Sequence, residues 1–212
     1  MYLMKKIRRF LKVMLAGILL LVVCAALFWG YRNYTALKQV YTYEALITQE
    51  AADNDISEYS SLALAIMLTE SKGQGDDPMQ SSESVYGQQN QFDSPEESIA
   101  QGVAYLAELI DKAEQQGCDL WTAVQAYNFG TDYIDYVAEN GGQNTLELAE
   151  SYSKEVLSPL LGNDDQEMYR YWGIQSFFYN GGYLYHNGGN LFYADLVKMN
   201  QWKVTATARF FD

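Results

Sequence analysis

The sequence is short of the residues that build the commonest nucleophile and metal sites. Its 212 residues include one histidine, His186, and two cysteines, Cys24 and Cys118. A Ser/His/Asp triad or a histidine metal site needs partners that a lone histidine lacks, so His186 reads as a surface or packed loop residue. No CxxC pair or Cys/His cluster supports zinc, and two isolated cysteines imply no disulfide framework. No metal and no organic cofactor is expected. With only 3 prolines and 15% aromatics, most of the chain is not expected to be disordered.

Acid is missing from the first 43 residues, which carry Lys5, Lys6, Arg8, Arg9, Lys12, Arg32 and Lys38. All 27 acidic residues follow, against 7 further basic ones, an excess of 20 negative charges. Such a surface repels a phosphate backbone, so nucleic acid is not an expected partner.

Charge of either sign is missing from "VMLAGILLLVVCAALFWG", Val13 to Gly30. That length suits a helix crossing a hydrocarbon core of ~30 Å, where a helix satisfies its own backbone groups. "KKIRRF" precedes it, and the positive-inside rule keeps that flank cytoplasmic and sends the rest outside. Trp29, Tyr31 and Tyr34 read as an interfacial aromatic belt. A cleaved signal peptide shares the basic start, but the exit "LFWGYRNY" is bulky. A lipidated Cys24 is disfavoured by Val23, which is not small. The expected organisation is a cytoplasmic basic tail (1–10), a transmembrane signal anchor (11–30), a tether (31–42) and one extracellular domain (43–203).

That domain reads as mainly α, with little strand alternation. The periodicity predicts a helix over 43–53, then "DNDISE", which lacks the glycine and spacing of a calcium loop and reads as a turn. Ser57 or Ser60 is the predicted cap of a helix running to Glu70. That helix is apolar nearly all round and therefore buried. Ser94, Pro95 and Glu97 form the strongest start signal, a capping box with proline at N1, for a helix ending at Gly117. Asp119 caps "LWTAVQAYNF", which Gly130 ends. Further helices are predicted over 133–139 and from Asn144 or Thr145 to about Leu157. The Tyr/Gly-rich segment 168–193 reads either as a β-hairpin or as a loop on the helices. Its rings could pack the last layer of the domain or present a saccharide platform.

Glu70 is the residue this arrangement singles out. It closes a buried helix, at the negative end of the macrodipole, and the acids Asp76 and Asp77 follow. Desolvation and both negative neighbourhoods favour the neutral carboxyl, which is what a general acid requires. Taken alone, it also reads as an exposed helix-end glutamate.

"AIMLTESKG", "DDPMQSSES", "SPEESI.QGV" and "AVQAYNFG", in this order, resemble the lysozyme-like superfamily. The resemblance covers roughly residues 43–203 and is closest to goose-type lysozymes, soluble lytic transglycosylases and a Gram-positive lysozyme-like group that includes the muramidase domains of bifunctional wall hydrolases. It implies a lysozyme-like helical domain acting on peptidoglycan glycan strands between N-acetylmuramic acid and N-acetylglucosamine. Carried onto this chain, it makes Glu70 the catalytic acid and Met79 and Gln80 a groove-lining pair. Ser81 and Ser82 become polar contacts, and Ala126, Tyr127, Asn128 and Gly130 a second sugar-binding motif. Tyr127 would stack or hydrogen-bond near the reacting sugar, and Asn128 would hold an N-acetyl or hydroxyl group. "DDPMQ" departs from the usual "GLMQ". An inverting hydrolase needs a second carboxylate ~6.5–9.5 Å from the first. Asp76, Asp77, Glu83 and Asp93 are the candidates, Asp76 and Asp77 being nearest in sequence. A lytic transglycosylase, giving 1,6-anhydro products, needs none, and a silent binding module would keep the groove alone. Wall polymers are often anionic too, which points to localised remodelling, with secretion, conjugation or division machinery as candidate partners.

Overall fold

The computed structural model describes residues 2–82 and 91–211. The first helix, α1 (Tyr2–Tyr41), runs for 40 residues without a break. Its residues from Met4 to Arg32 are exposed, and the span from Met4 is long and apolar enough to cross a membrane. Residues 31–42, expected as a tether, are instead mostly its last turns. Ala36, Leu37, Val40 and Tyr41 recur on one helical face and are buried in the domain core. The Tyr41 hydroxyl donates to the Val204 carbonyl at 2.6 Å, and its ring stacks on Phe211 at 4.7 Å. Burying that apolar face outweighs the freedom a linker would keep, and the end of α1 is thereby fixed to the domain.

The helix α2 (Glu44–Asp53) and the 3₁₀ turn Ser57–Tyr59 lead into α3 (Ser60–Glu70). Neither serine caps α3. The 3₁₀ turn runs directly into it, and the Ser60 hydroxyl donates back to the Ser57 carbonyl at 2.7 Å. Every residue from Leu62 to Leu68 is buried, because α1, α2 and the C-terminal helix α10 (Tyr193–Thr207) enclose α3. Each large apolar side chain placed there gains roughly 1.5–3 kcal/mol over an exposed one.

Local signals set the next elements. Ser94 accepts from the Glu97 amide and starts α4 (Pro95–Gln115), and Gly117 follows with φ +71°. Asp119 caps α5 (Leu120–Phe129) through the Thr122 amide at 3.0 Å. Then come α6 (Asp132–Glu139) and α7 (Leu146–Tyr152), the latter capped by Thr145. A π turn, Ser153–Leu157, leads into the short α8 (Ser158–Leu160).

The Tyr/Gly-rich segment combines both forms expected of it. The strands β1 (Met168–Arg170) and β2 (Tyr183–Tyr185) pair antiparallel, with Met168 opposite Tyr185, and enclose α9 (Ile174–Asn180). Tyr171 and Tyr179 pack on the buried Phe192, while Trp172, Phe177 and Phe178 are exposed. The segment is pinned to the helices by buried amides. Gln125 donates to the Asn190 carbonyl and accepts from the Ala194 amide, and Asn163 donates to Ser158, Glu167 and His186.

Candidate functional site

The site is assembled where α3 ends. Glu70 is its last residue, and the chain then turns through Ser71, whose hydroxyl donates to the Pro78 carbonyl at 2.6 Å and accepts from the Gly73 and Gln74 amides. Lys72 and Gln80 both take positive φ, +61° and +50°. Each such non-glycine residue costs on the order of 1–3 kcal/mol and persists only where surroundings impose it.

Asp77 imposes much of that order. It is 2% exposed and accepts four hydrogen bonds: Ser81 amide (3.0 Å) and Ser98 hydroxyl (2.6 Å) on Oδ1, Ser82 amide (3.3 Å) and Ser82 hydroxyl (2.5 Å) on Oδ2. Burial pushes its carboxyl up, but the bonds from Ser82, Ser98 and Ser81 outweigh it and hold the group below the usual carboxylate range. The structure thus gives Asp77 a different task from that of a water-activating base: its lone pairs are spent on the loop. Ser81 and Ser82 are likewise buried. Ser82 serves Asp77, and the Ser81 hydroxyl donates to the Ser98 carbonyl at 2.8 Å. Asp76 and Asp93 are exposed loop residues, and Glu83 lies outside the described residues.

Met79, expected to line the groove, is fully buried; it is the backbone of the Met-Gln pair that serves the site. Its carbonyl accepts from the Tyr127 hydroxyl at 3.1 Å. Its side chain fills the space beside Gly102, where a Cβ would stand 2.7 Å from Met79 Cβ and 2.9 Å from both Met79 Sδ and Tyr127 Oη. Gln80 donates to the Asp77 carbonyl at 2.8 Å and lines a cleft of about 570 Å³.

One wall of that cleft is Gln80, Ser81, Tyr105, Tyr127, Asn128 and Gly130; Leu157, Leu161, Asn187 and Gly189 complete it. Asn128 reaches it from the end of α5, and its Oδ1 accepts the Asn190 amide at 2.7 Å. Gly189, at φ +63°, lets the backbone come this close, since a Cβ would lie 3.0 Å from that oxygen.

Glu70 is half-buried beside this cleft rather than on its wall. The Tyr193 hydroxyl donates to its Oε1 at 2.5 Å. The Tyr193 ring stacks parallel to Tyr127, centroids 6.4 Å apart at 1°, and Tyr105 tilts against Tyr127 at 5.4 Å. Burial first, then the Glu70 charge, push both Tyr127 and Tyr193 well above their ordinary pKa, so both phenols remain donors. Burial, with Glu108 and Asp132, raises Tyr105 to about 12. Glu70 and the Tyr127–Asn128 pair therefore belong to one cluster. Tyr193 and Tyr105 were not singled out in the sequence. Tyr193 lies 123 residues from its partner, a separation that no local pattern reveals.

A sequence model described as lysozyme-like matches residues 37–201. Pneumococcal vaccine antigen A of Streptococcus pneumoniae serotype 4 is 42% identical over 193 residues, 90% of this chain and 94% of that protein. A Bacillus subtilis protein named bifunctional muramidase/DL-endopeptidase CwlT is 33% identical over 124 residues, 58% of this chain and 37% of that protein. A solved Staphylococcus aureus structure, described as similar to lipoprotein of the NLP/P60 family, is 40% identical with a TM-score of 0.70, covering 77% of this chain and 52% of that one. This chain thus spans about half the length of that structure. By the extent of these matches the chain belongs to the lysozyme-like family.

Proposed function

We propose that this protein is a membrane-anchored peptidoglycan glycosidase that cleaves between N-acetylmuramic acid and N-acetylglucosamine, with Glu70 as its acid. The observation that carries this reading is the hold of Tyr193 on Glu70 beside a cleft shared with Gln80, Tyr127 and Asn128. Glu70 gives its proton to the glycosidic oxygen as the C1–O bond breaks through an oxocarbenium-like transition state. The glutamate left behind then takes the proton of the attacking oxygen, which bonds to C1. That oxygen is water in a muramidase and the muramic 6-hydroxyl in a lytic transglycosylase.

Kinship with a named muramidase supports the hydrolytic outcome. The consumption of Asp77 by Ser81, Ser82 and Ser98 favours a course with one carboxylate, which suits the transglycosylase. Digestion of purified glycan strands by the full chain in detergent, followed by mass spectrometry, separates the two. Reducing muramic ends mean hydrolysis, 1,6-anhydro ends mean transglycosylation, and intact strands mean a binding module.

In this reading α1 anchors the chain with the basic start inside and the domain outside, where peptidoglycan lies. The 20 excess acidic charges from Glu44 onward disfavour indiscriminate attraction to anionic wall polymers and fit localised remodelling, at division or beside a secretion or conjugation machine. Wall binding that collapses with rising salt contradicts this part.

A further inference from the structure

Two of the seven basic residues that follow Glu44 share one place with a cation of α1. Lys72 and Lys203 meet Arg32 of α1 around a pocket of about 370 Å³ at the junction of α1, α3 and α10. Its apolar wall is Phe28, Trp29, Leu68, Leu196 and Met199, and Asn33, Thr69 and Asn200 add polar groups. The polar floor is built: Lys203 donates to Asn200 Oδ1 at 2.9 Å, and Asn200 donates to the Thr69 hydroxyl at 2.9 Å. Burial pulls the Lys203 amine below its ordinary pKa. Among the described residues, the one salt bridge is Lys112–Asp135, so no carboxylate neutralises Arg32, Lys72 or Lys203. In a domain with so many acids, three cations left without a carboxylate around one amphipathic pocket call for an anion from outside the fold.

The position of the pocket says which anion. Phe28 and Trp29 lie at the end of the apolar run, and Arg32 is two residues beyond Gly30. Because α1 enters the core by Ala36 without a break, the pocket stands within about 10 Å of the apolar boundary, at 1.5 Å per residue. That is headgroup depth. We infer that this pocket binds the phosphate of an anionic phospholipid in the adjoining leaflet, with Arg32, Lys72 and Lys203 on the phosphate and the aromatic and aliphatic wall on the glycerol and upper acyl carbons. This inference rests on the anchored reading of α1. It gives the domain a second membrane contact, beside α1, which fixes its orientation. Thr69 and Lys72 also flank Glu70 in sequence, so the contact adjoins the α3 end that carries the proposed acid.

The test uses the full chain reconstituted into bilayer nanodiscs of phosphatidylcholine containing one-third phosphatidylglycerol. Native mass spectrometry counts the lipids that remain bound on release. The expected result is preferential retention of phosphatidylglycerol over phosphatidylcholine. In Lys72→Gln/Lys203→Gln that preference falls about twenty-five-fold, from about five-fold per juxtamembrane cation, while Lys154→Gln/Lys198→Gln keeps it. Circular dichroism confirms that each variant is folded. Equal retention of the two lipids, or equal loss in both double variants, overturns the inference. So does full displacement of phosphatidylglycerol by millimolar inorganic phosphate, which means an anion site without lipid selectivity. Carbonate extraction of membranes separates the two levels. A chain released by carbonate overturns the anchor and the lipid site together; a chain that resists it but shows no lipid preference overturns the lipid site alone.

Discussion

Gly102→Ala sets two physical effects against each other with opposite signs. Gly102 lies inside α4, where alanine is preferred over glycine by about 1 kcal/mol, so propensity alone raises stability. Packing opposes it. The added Cβ meets Met79 Cβ at 2.7 Å and Met79 Sδ and Tyr127 Oη at 2.9 Å. The sulfur can swing aside, but Met79 Cβ moves only with its backbone, and Met79 is fully buried. Tyr127 is confined between Tyr105 at 5.4 Å and Tyr193 at 6.4 Å. Overpacking of this kind costs about 1–3 kcal/mol. The net is a loss of up to about 2 kcal/mol, or a Tm lower by up to about 8 °C for a protein of this size. Displacing Tyr127 also breaks its bond to the Met79 carbonyl and shifts the ring stacked on Tyr193, so glycan cleavage falls as well. Thermal unfolding followed by circular dichroism, with a glycan digestion beside it, reads both. A Tm that rises by about 2–4 °C with activity unchanged refutes the close packing of α4, the Met-Gln loop and α5.

Other perturbations probe other joints. Tyr193→Phe keeps the ring that stacks on Tyr127 but removes the donor to Glu70, so kcat falls about ten- to a hundred-fold with KM little changed; a change confined to KM makes Tyr193 a substrate contact instead. For Asp77→Asn the sign follows from a folded-state pKa below the ordinary value. The stabilisation is complete at neutral pH and is lost as pH falls through the native pKa. The variant is therefore less stable by roughly 2–4 kcal/mol at pH 7, and the gap to the wild type narrows below about pH 4; urea unfolding at pH 7 and pH 3 checks this, and a constant gap contradicts it. Leu37→Ala costs about 2–4 kcal/mol because the side chain, 6% exposed, belongs to the core; an unchanged urea midpoint would mean that the end of α1 is a tether after all.

What the sequence disclosed and what it hid divide along the range of the interactions. The caps at Ser94, Asp119 and Thr145 are contacts three residues long, and the structure keeps each of them. The burial of α3 was legible because seven consecutive buried residues need an apolar helix on every face. Glu70 was legible as the polar end of that helix. The partners of Asp77 were hidden because Ser98 comes from α4, 21 residues away. The helix α10 was missed because the face it buries includes Asn200 beside Tyr193, Val197 and Val204, which blurs the periodicity. The end of α1 carried its signal in Ala36, Leu37, Val40 and Tyr41, a helical face hidden behind the stronger signal of the membrane-length run before it.

The most direct test of the account is the single-turnover rate of Glu70→Gln on purified glycan strands. Glutamine keeps the shape of the side chain and an oxygen for Tyr193 but cannot deliver a carboxylic proton. The account predicts a fall of at least about a thousandfold, some 4 kcal/mol in the barrier, with Tm close to that of the wild type. A folded Glu70→Gln variant that cuts glycan strands at the wild-type rate contradicts it.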